Sequence, residues 1–414
     1  MTIRMRAALL AGALAVTAGI ARAESVTLQD AIARGVAAAP VLRAADAAVD
    51  AAQAGRRQAD VRPNPTLSVE AENFAGTGGA IDQAQITAAY NQLVERGGKR
   101  QARVVLAERE IAVAEASRTV ARLDLIAAIQ RAFIDVLIAD RVAEASAARL
   151  VTERALQREA VRRVRGYKDP LFVETRAAAR VADAEIAADL AQVRRRSTRA
   201  ALAAFWGGSG DGLEPGGALG MTALAGDANT AALSSADAAL GDAAIARAGA
   251  AAVVEQTRAK QDYTWSGGVR VLPHTRDVAL VAGIAIPLGR FDRNRGNIER
   301  AQAEHRRAGF AAAAAVQDRT RRLATLRAEA DSALTRSDRI MAEVLPRARR
   351  ALTQVREGYN RGGFTFRDIQ DAADAIIAIN ADLVTAMTAY RDVQSEIDRL
   401  TGRFDAPQPL GATP

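Results

Sequence analysis

The stretch that most constrains the fold is residues 262–298, where strict alternation of side chains leads into a very long helical pattern. In the first run, one parity carries Tyr263, Trp265, Val269 and Val271, and the other carries Thr264, Ser266, Gly268 and Arg270. Residues 278–286 alternate in the same way after a short break. Two runs of about ten residues predict a hairpin, and this is also the length of a tilted transmembrane strand. A hairpin of an ordinary sandwich is the alternative, but such hairpins do not lead into helices of this length.

A second alternating segment, residues 66–90, predicts another hairpin with its loop at Gly76–Gly79. In both hairpins the more polar parity carries Ser, Thr, Glu, Gln or Arg. This alternation fits a lipid-facing wall around a wet lumen. A one-sided antiparallel sheet fits nearly as well.

Each hairpin precedes a very long helix. Residues 100–165 contain neither Gly nor Pro, which predicts a helix of roughly 100 Å that needs neighbours along its whole length. Gly166 ends this helix, and a helix over 171–205 returns. The second long helix, 297–361, has coiled-coil spacing with a kink expected at Pro346, and 366–401 returns.

The two halves therefore look like a twofold internal repeat. An offset of about 196 aligns the two hairpins and pairs Gly166 with Gly362. The predicted division is a signal peptide at 1–23, a first repeat at 24–206, a Gly-rich linker at 207–235, a second repeat at 236–402 and a tail at 403–414.

The N-terminus indicates export. Arg4 and Arg6 precede an apolar run, and the small-x-small site Ala21-Arg22-Ala23 predicts a secretory signal peptide with a mature chain starting at Glu24. No later run of eighteen apolar residues predicts a membrane-spanning helix. The absence of cysteine leaves stability to packing. Without the signal peptide, 53 basic and 48 acidic residues give a net charge of +5, interspersed on helical faces. This pattern favours solvated helices over nucleic-acid binding.

Four strands in one chain are too few to close a barrel. Open sheet edges are not tolerated in lipid, so the strands must close with other copies. Three copies give twelve strands, an even number within the known range, with the long helices forming a second, helical tube.

These features resemble the outer-membrane efflux channel family, the trimeric tunnel proteins of tripartite export systems, over about residues 25–402. The runs ERGGKRQAR (95–103) and PLGRFDRNRGNI (287–298), and Leu345-Pro346 ahead of Tyr359, resemble most the cobalt–zinc–cadmium resistance branch. The resemblance implies a mainly α fold with a small β part: a trimeric 12-stranded outer-membrane β-barrel, continued by a long periplasmic α-helical barrel.

The resemblance also implies a function. The homotrimer would be a passive exit duct in the outer membrane, extending into the periplasm. An inner-membrane pump and a periplasmic adaptor would deliver substrates to it, with divalent metal cations as one class. The alternative is a periplasmic coiled-coil adaptor or scaffold protein. An adaptor, however, would have one helical hairpin flanked by small β domains instead of a twofold repeat.

The sequence shows no catalytic constellation. His274 and His305 lie about thirty residues apart without a ligand partner at metal spacing, which indicates surface histidines. Nucleophile elbows and phosphate loops are also missing from the sequence. We therefore expect neither an enzyme, nor a cofactor, nor a metal site.

Candidate channel residues cluster after the second long helix. Asp368, Asp371 and Asp374 are spaced three apart on one helix face, and threefold symmetry would turn each position into a carboxylate ring that favours cations. By resemblance, Asp368 and Asp371 match an acidic constriction and Tyr359 a tip tyrosine, which together form a gate. The alternative is charge that complements the helix dipole, with Asp368 near a cap.

The turns after the two long helices are the expected periplasmic tip. By resemblance, Gly166, Gly362 and Gly363 would contact the adaptor there. Phe172 is the first-repeat residue that the offset of 196 pairs with Asp368, where the family often has Asp.

Overall fold

The computed structural model describes residues 24–73, 84–217 and 233–404. The predicted signal peptide, the loop at Gly76–Gly79, and parts of the predicted linker and tail lie outside these residues.

The described chain is mainly helical with a small β part. In chain order it contains β1 (Glu24–Val26), α1 (Leu28–Ala38), α2 (Pro40–Ala59), β2 (Thr66–Glu72), β3 (Gln85–Val94), α3 (Lys99–Arg165), α4 (Leu171–Ala203), a 3₁₀ turn (Ala204–Trp206), β4 (Leu213–Pro215), α5 (Ser235–Arg258), β5 (Tyr263–Leu272), β6 (Asp277–Ala285), α6 (Arg295–Arg339), a π-helical turn (Ile340–Val344), α7 (Leu345–Asn360) and α8 (Phe366–Leu400).

The helix α3 sets the length of the molecule. Its 67 residues span roughly 100 Å. It contacts α2, α4, α5 and α8, so neighbours support it along most of its length. Five of its 16 buried residues are alanines, which allow close approach of the helices, and most of the others are Ile, Leu, Val or Phe.

The second long helical segment is interrupted near the predicted kink. The π-helical turn Ile340–Val344 separates α6 from α7, and Pro346 lies in the first turn of α7. Proline has no N–H to donate to the preceding turn, so the helix widens locally instead of continuing its regular ladder.

The four long strands form one antiparallel sheet in the order β2-β3-β5-β6. Val69 lies opposite Ala88, Ala88 opposite Val269, and Val269 opposite Leu280, so one face is apolar across all four strands. That face leaves its large residues exposed: Leu67, Val69, Ile86, Tyr90, Trp265, Val269, Val271, Val278, Leu280 and Ile284.

The opposite face of the sheet is polar on three strands. Arg270 donates hydrogen bonds to Thr87 Oγ1 at 2.9 Å and Gln85 Oε1 at 3.2 Å, and its guanidinium lies 3.4 Å from Glu72. Asn91 donates to Ser68 Oγ at 3.0 Å. The sheet therefore presents an apolar face and a hydrogen-bonded polar face, with β2 and β6 as its two edges.

A second, parallel pair of strands lies away from this sheet. Glu24–Val26 pairs with Leu213–Pro215, which lies inside the predicted linker. Val26 is buried in a core with Ile129, Phe133 and Leu202. Short-range periodicity could not reveal this pairing, since its two strands are nearly 190 residues apart.

The sheet and the helix turns lie at opposite ends of the molecule. β3 and β5 adjoin the ends of α3 and α5 that face the sheet, whereas α3 meets α4, and α7 meets α8, at the far end. Among the described helices, α8 is long and apolar enough to span a membrane by length and composition alone. It nevertheless packs along α3, α6 and α7, with Tyr390 and Ile397 fully buried.

Two neighbouring glycines of β5 provide a test of the sheet. A Cβ on Gly268 would lie 2.3 Å from the carbonyl oxygen of Ala88, whereas a Cβ on Gly267 would meet only the Trp265 ring, at 3.7 Å. We expect Gly268→Ala to destabilise the sheet by about 1–3 kcal/mol through overpacking, with Gly267→Ala close to wild type. Thermal unfolding of detergent-solubilised protein, followed by circular dichroism, measures the difference. Equal midpoints for the two variants would contradict the close approach of β3 and β5.

Candidate functional site

The candidate site lies at the end of the helices opposite the sheet. The turn between α3 and α4 (166–170) and the turn between α7 and α8 (361–365) are held together by one apolar cluster. Its buried members are Leu156, Ala160, Ala177, Phe366, Ile369 and Ala373. The predicted tip residues Gly166, Gly362 and Gly363 all lie exposed in these two turns.

The two turns share one backbone hydrogen-bond pattern at an offset of 195. The amides of Gly166, Tyr167 and Lys168 bond the carbonyls of Arg162, Val164 and Arg163; those of Arg361, Gly362 and Gly363 bond Glu357, Tyr359 and Gly358. The offset of 196 is therefore wrong at the turns. Gly362 (φ +82°) corresponds to Tyr167 (φ +55°) instead of Gly166.

With the offset of 195, Phe172 is no longer the residue that corresponds to Asp368. The first-repeat position that corresponds to Asp368 is Val173, and Phe172 corresponds to Arg367. The helix starts also differ, because Thr365 caps α8 with its side chain whereas Pro170, before α4, makes no side-chain cap.

Tyr359 links the two turns through its hydroxyl. It donates to Glu159 Oε1 at 2.7 Å and accepts from Arg163 Nη1 at 2.9 Å. The Arg163 guanidinium also lies 5.4 Å from the centre of the Tyr359 ring. The predicted gate tyrosine therefore joins α7 to the last turns of α3.

Arg163 is held in place by a second contact. It donates two hydrogen bonds to Asp169, at 2.5 and 3.1 Å. These bonds lower the pKa of Asp169 and raise the pKa of Arg163. A depressed carboxyl pKa stabilises the fold above the unfolded-state value and ceases to do so as pH falls through the lower folded-state value. The Asp169 contribution is therefore lost only in acid, below about 3.8.

Asp368 is occupied within its own chain. Its Oδ2 accepts from the Thr365 amide and the Thr365 hydroxyl, both at 2.7 Å, and its amide donates back to Thr365 Oγ1 at 3.3 Å. This capping box lowers the pKa of Asp368 through the Thr365 bonds. The cap that the sequence offered as an alternative is present, and an ionised Asp368 is compatible with either role.

Asp371 and Asp374 have different environments. Asp371 is exposed, with Arg367 at 3.9 Å. Asp374 instead accepts from Arg180 Nη1 at 2.9 Å. The three aspartates thus differ, because Asp368 caps α8, Asp374 binds Arg180, and Asp371 makes only the 3.9 Å contact with Arg367.

Arg180 ties three helices together. Its guanidinium also donates to both carboxylate oxygens of Glu153, at 2.9 and 3.0 Å, so α3, α4 and α8 meet at one charged group. These bonds, first from Asp374 and then from Glu153, raise the pKa of Arg180. The Glu153 side chain is 3% exposed, so its charge depends on this partner.

Sequence reasoning missed Glu153, Arg180, Glu159 and Arg163. Each resembles the many charged residues of a solvated helix surface, and no spacing within one helix indicates a partner on another. The described residues include no group of three or more metal-ligating side chains. His274 and His305 are both exposed and lie on separate elements.

Comparisons with known proteins agree with this architecture. The family model "Outer membrane efflux protein" matches residues 31–208. The cobalt-zinc-cadmium resistance protein CzcC of Cupriavidus metallidurans is 30% identical over 376 residues, which cover 87% of this chain and 86% of CzcC.

Solved structures show the same fold. VceC from Vibrio cholerae superposes with a TM-score of 0.74 at 21% identity, over 91% of this chain and 96% of VceC. The open-state outer membrane channel MtrE of Neisseria gonorrhoeae gives 0.72 at 18% identity, over 91% and 88%.

A two-faced sheet at one end of helices of roughly 100 Å defines a channel protein of the outer membrane that extends into the periplasm. The chain belongs to the outer membrane efflux protein family, and its similarity to CzcC confirms the predicted resemblance to the cobalt–zinc–cadmium branch. It is accordingly an efflux conduit and not an enzyme. The family also argues against the alternative of a periplasmic adaptor or scaffold.

The Arg180 junction provides a stability test. Arg180→Met removes the partner of buried Glu153, and breaking a buried pair in this way costs about 3–5 kcal/mol. Arg322→Met is the matched control, because Arg322 makes the same bidentate hydrogen-bonded contact, with Glu396, on an exposed surface. We expect a large drop in thermal midpoint for Arg180→Met and almost none for Arg322→Met. Similar midpoints would show that the junction is not structurally important.

Proposed function

We propose that three copies of the chain form a closed outer-membrane channel, with a 12-stranded β-barrel above a long α-helical barrel. The observation that carries this proposal is the four-stranded sheet, which has an apolar face, a polar face and two edges without a partner strand among the described residues. In lipid, unpaired edge amides and carbonyls cost several kcal/mol each. Pairing β6 of one copy with β2 of the next satisfies both edges.

The helices support the same assembly. α4 exposes an apolar stripe with helical spacing at Ile186, Leu190 and Val193. The α6–α7 segment exposes Met341 and Val344 near the π-helical turn. Burying these faces against neighbouring copies would continue the barrel from the sheet to the turns. The two halves would then act as repeats, 24–206 and 236–402, that alternate around the tube.

The channel would close at the helix turns. The Tyr359 hydroxyl joins α7 to α3, and Asp368 and Asp371 lie at the start of α8, next to this link. In a threefold assembly these residues form a gate with stacked carboxylate rings. Charges closer than a Debye length, about 8 Å at physiological salt, are only partly screened, so carboxylates in a narrow ring would act on one another. The rings would draw cations to the mouth.

The turns would meet the periplasmic adaptor. Gly166, Gly362 and Gly363 lie exposed at the end that projects furthest from the sheet. An inner-membrane pump would deliver substrate through the adaptor, and the channel would act as a passive duct. Divalent metal cations are the proposed substrate class, because the relative CzcC is a cobalt-zinc-cadmium resistance protein and the proposed gate is acidic.

Planar-bilayer conductance tests the channel and its gate together. We expect wild-type protein to form cation-preferring channels that trivalent cations block. Asp368→Asn with Asp371→Asn should reduce both the preference and the block, because the substitutions remove six charges from the mouth of the trimer.

Asp382→Asn with Asp392→Asn is the control, since it removes equal charge elsewhere on the same helix. Selectivity and block that stay unchanged in the gate variant would leave Asp368 with its helix-capping role alone. Absence of any conductance from wild type would contradict the channel itself.

A further inference from the structure

The two helix turns present different chemistry at the same end of the molecule. Tyr167 is 97% exposed in the first turn, and Leu171 and Phe172 beside it are also exposed. The second turn has no aromatic side chain that is exposed to the same extent. Gly362 stands where the first turn has Tyr167, and Phe364 folds back so that its ring packs on the backbone of Gly358.

Tyr167 adopts a backbone conformation that is unfavourable for any residue with a side chain. Its φ of +55° lies in the left-handed region, where the second turn uses glycine at φ +82°. A side chain that is almost fully exposed gains no packing within the chain to offset this strain. The turn requires this φ, but no contact within the chain requires a tyrosine at the position, and strained residues cluster at binding and switching sites.

Free positive charge surrounds Tyr167. Arg158, Arg165 and Lys168 are exposed, and their side chains make no hydrogen bond or ion pair with any other residue that the structure describes. Two nearby carboxylates are already used, since Asp169 binds Arg163 and Glu159 binds Tyr359, whereas Glu174 in the first turn of α4 has no partner among the described residues.

Fewer unpaired cations lie beside the second turn, where Arg356 is exposed and has no partner among the described residues. Arg361 has Glu357 at 3.9 Å, and Arg367 has Asp371 at 3.9 Å. The excess of unpaired cations is therefore a property of the first turn and its helix, not of the whole tip.

We propose that the first turn, defined by Arg158, Arg165, Tyr167, Lys168 and Phe172, anchors a protein partner that presents an apolar surface bordered by carboxylates. Within the proposed function, on which this inference rests, that partner is the periplasmic adaptor. Tyr167 and Phe172 enter the apolar surface, while the three cations pair with the carboxylates and set orientation. The second turn contributes backbone and shape but little charge.

Binding of two synthetic helical hairpins to the full-length trimer tests the proposal. The hairpins share an apolar loop and differ only in carrying glutamates or lysines beside it. We expect the glutamate hairpin to bind about tenfold more tightly at low salt, with a preference that fades as salt rises. Biolayer interferometry on detergent-solubilised trimer provides the measurement.

Two variants separate the aromatic and charged parts of the surface. Tyr167→Gly should weaken the glutamate hairpin without loss of fold, because glycine suits this φ as it does in the second turn. Arg165→Glu with Lys168→Glu should reverse the preference to the lysine hairpin. Arg109→Glu with Arg306→Glu is the control, since both arginines are exposed near the sheet end of their helices and unpaired among the described residues. It should bind like wild type.

Three outcomes would overturn the proposal: equal binding of both hairpins, no binding of either, or the same losses in the control variant. Stronger retention on phosphatidylglycerol vesicles than on the glutamate hairpin would assign the cations to lipid headgroups instead. Conductance is measured on the same preparation. A conducting trimer without hairpin preference refutes only this inference, whereas a preparation without conductance refutes the channel.

Discussion

The structure depends on the pairing of backbone hydrogen-bonding groups at the edges of one small sheet. Within a single chain, β3 and β5 are paired on both sides, but β2 and β6 are each paired on one side only. The apolar face of the sheet fits lipid, where water cannot satisfy the open edges. The open edges therefore call for pairing with strands of other copies. Contact with lipid explains why so much apolar side-chain surface stays exposed in one protomer.

The helices meet a different requirement, which is to pack side by side over lengths of up to roughly 100 Å with few large side chains. Alanine-rich faces allow close approach, and apolar clusters occur at intervals: one beneath β1 and β4, one around Tyr390, and one at the turns. Between the clusters, charged contacts such as Glu153–Arg180–Asp374 fix how neighbouring helices align. Comparable contacts between helices occur along the whole molecule, for example Arg199–Asp140 and Arg399–Asp237, so charged pairs align the helices from the sheet to the turns.

Much of this architecture could be predicted from the sequence, because its periodic signals are local. Alternation located the strands, and the absence of Gly and Pro located α3. The pairing of β1 with β4 and the contacts of Tyr359 and Arg180 could not be predicted, since each joins residues distant in sequence. The repeat offset of 196 was also wrong by one residue at the turns, where Tyr167 takes a left-handed conformation that glycine adopts more readily. The gate residues remain a prediction, although the cap formed by Asp368 is now explicit.

The mass of the protein released from outer membranes in mild detergent tests the central claim most directly. Native mass spectrometry, with circular dichroism on the same sample, reports the number of chains while the sheet is intact. Closure of β6 against β2 predicts a particle of three chains that loses its β signal only when the trimer dissociates. A monodisperse single chain that keeps its full β signal would contradict it.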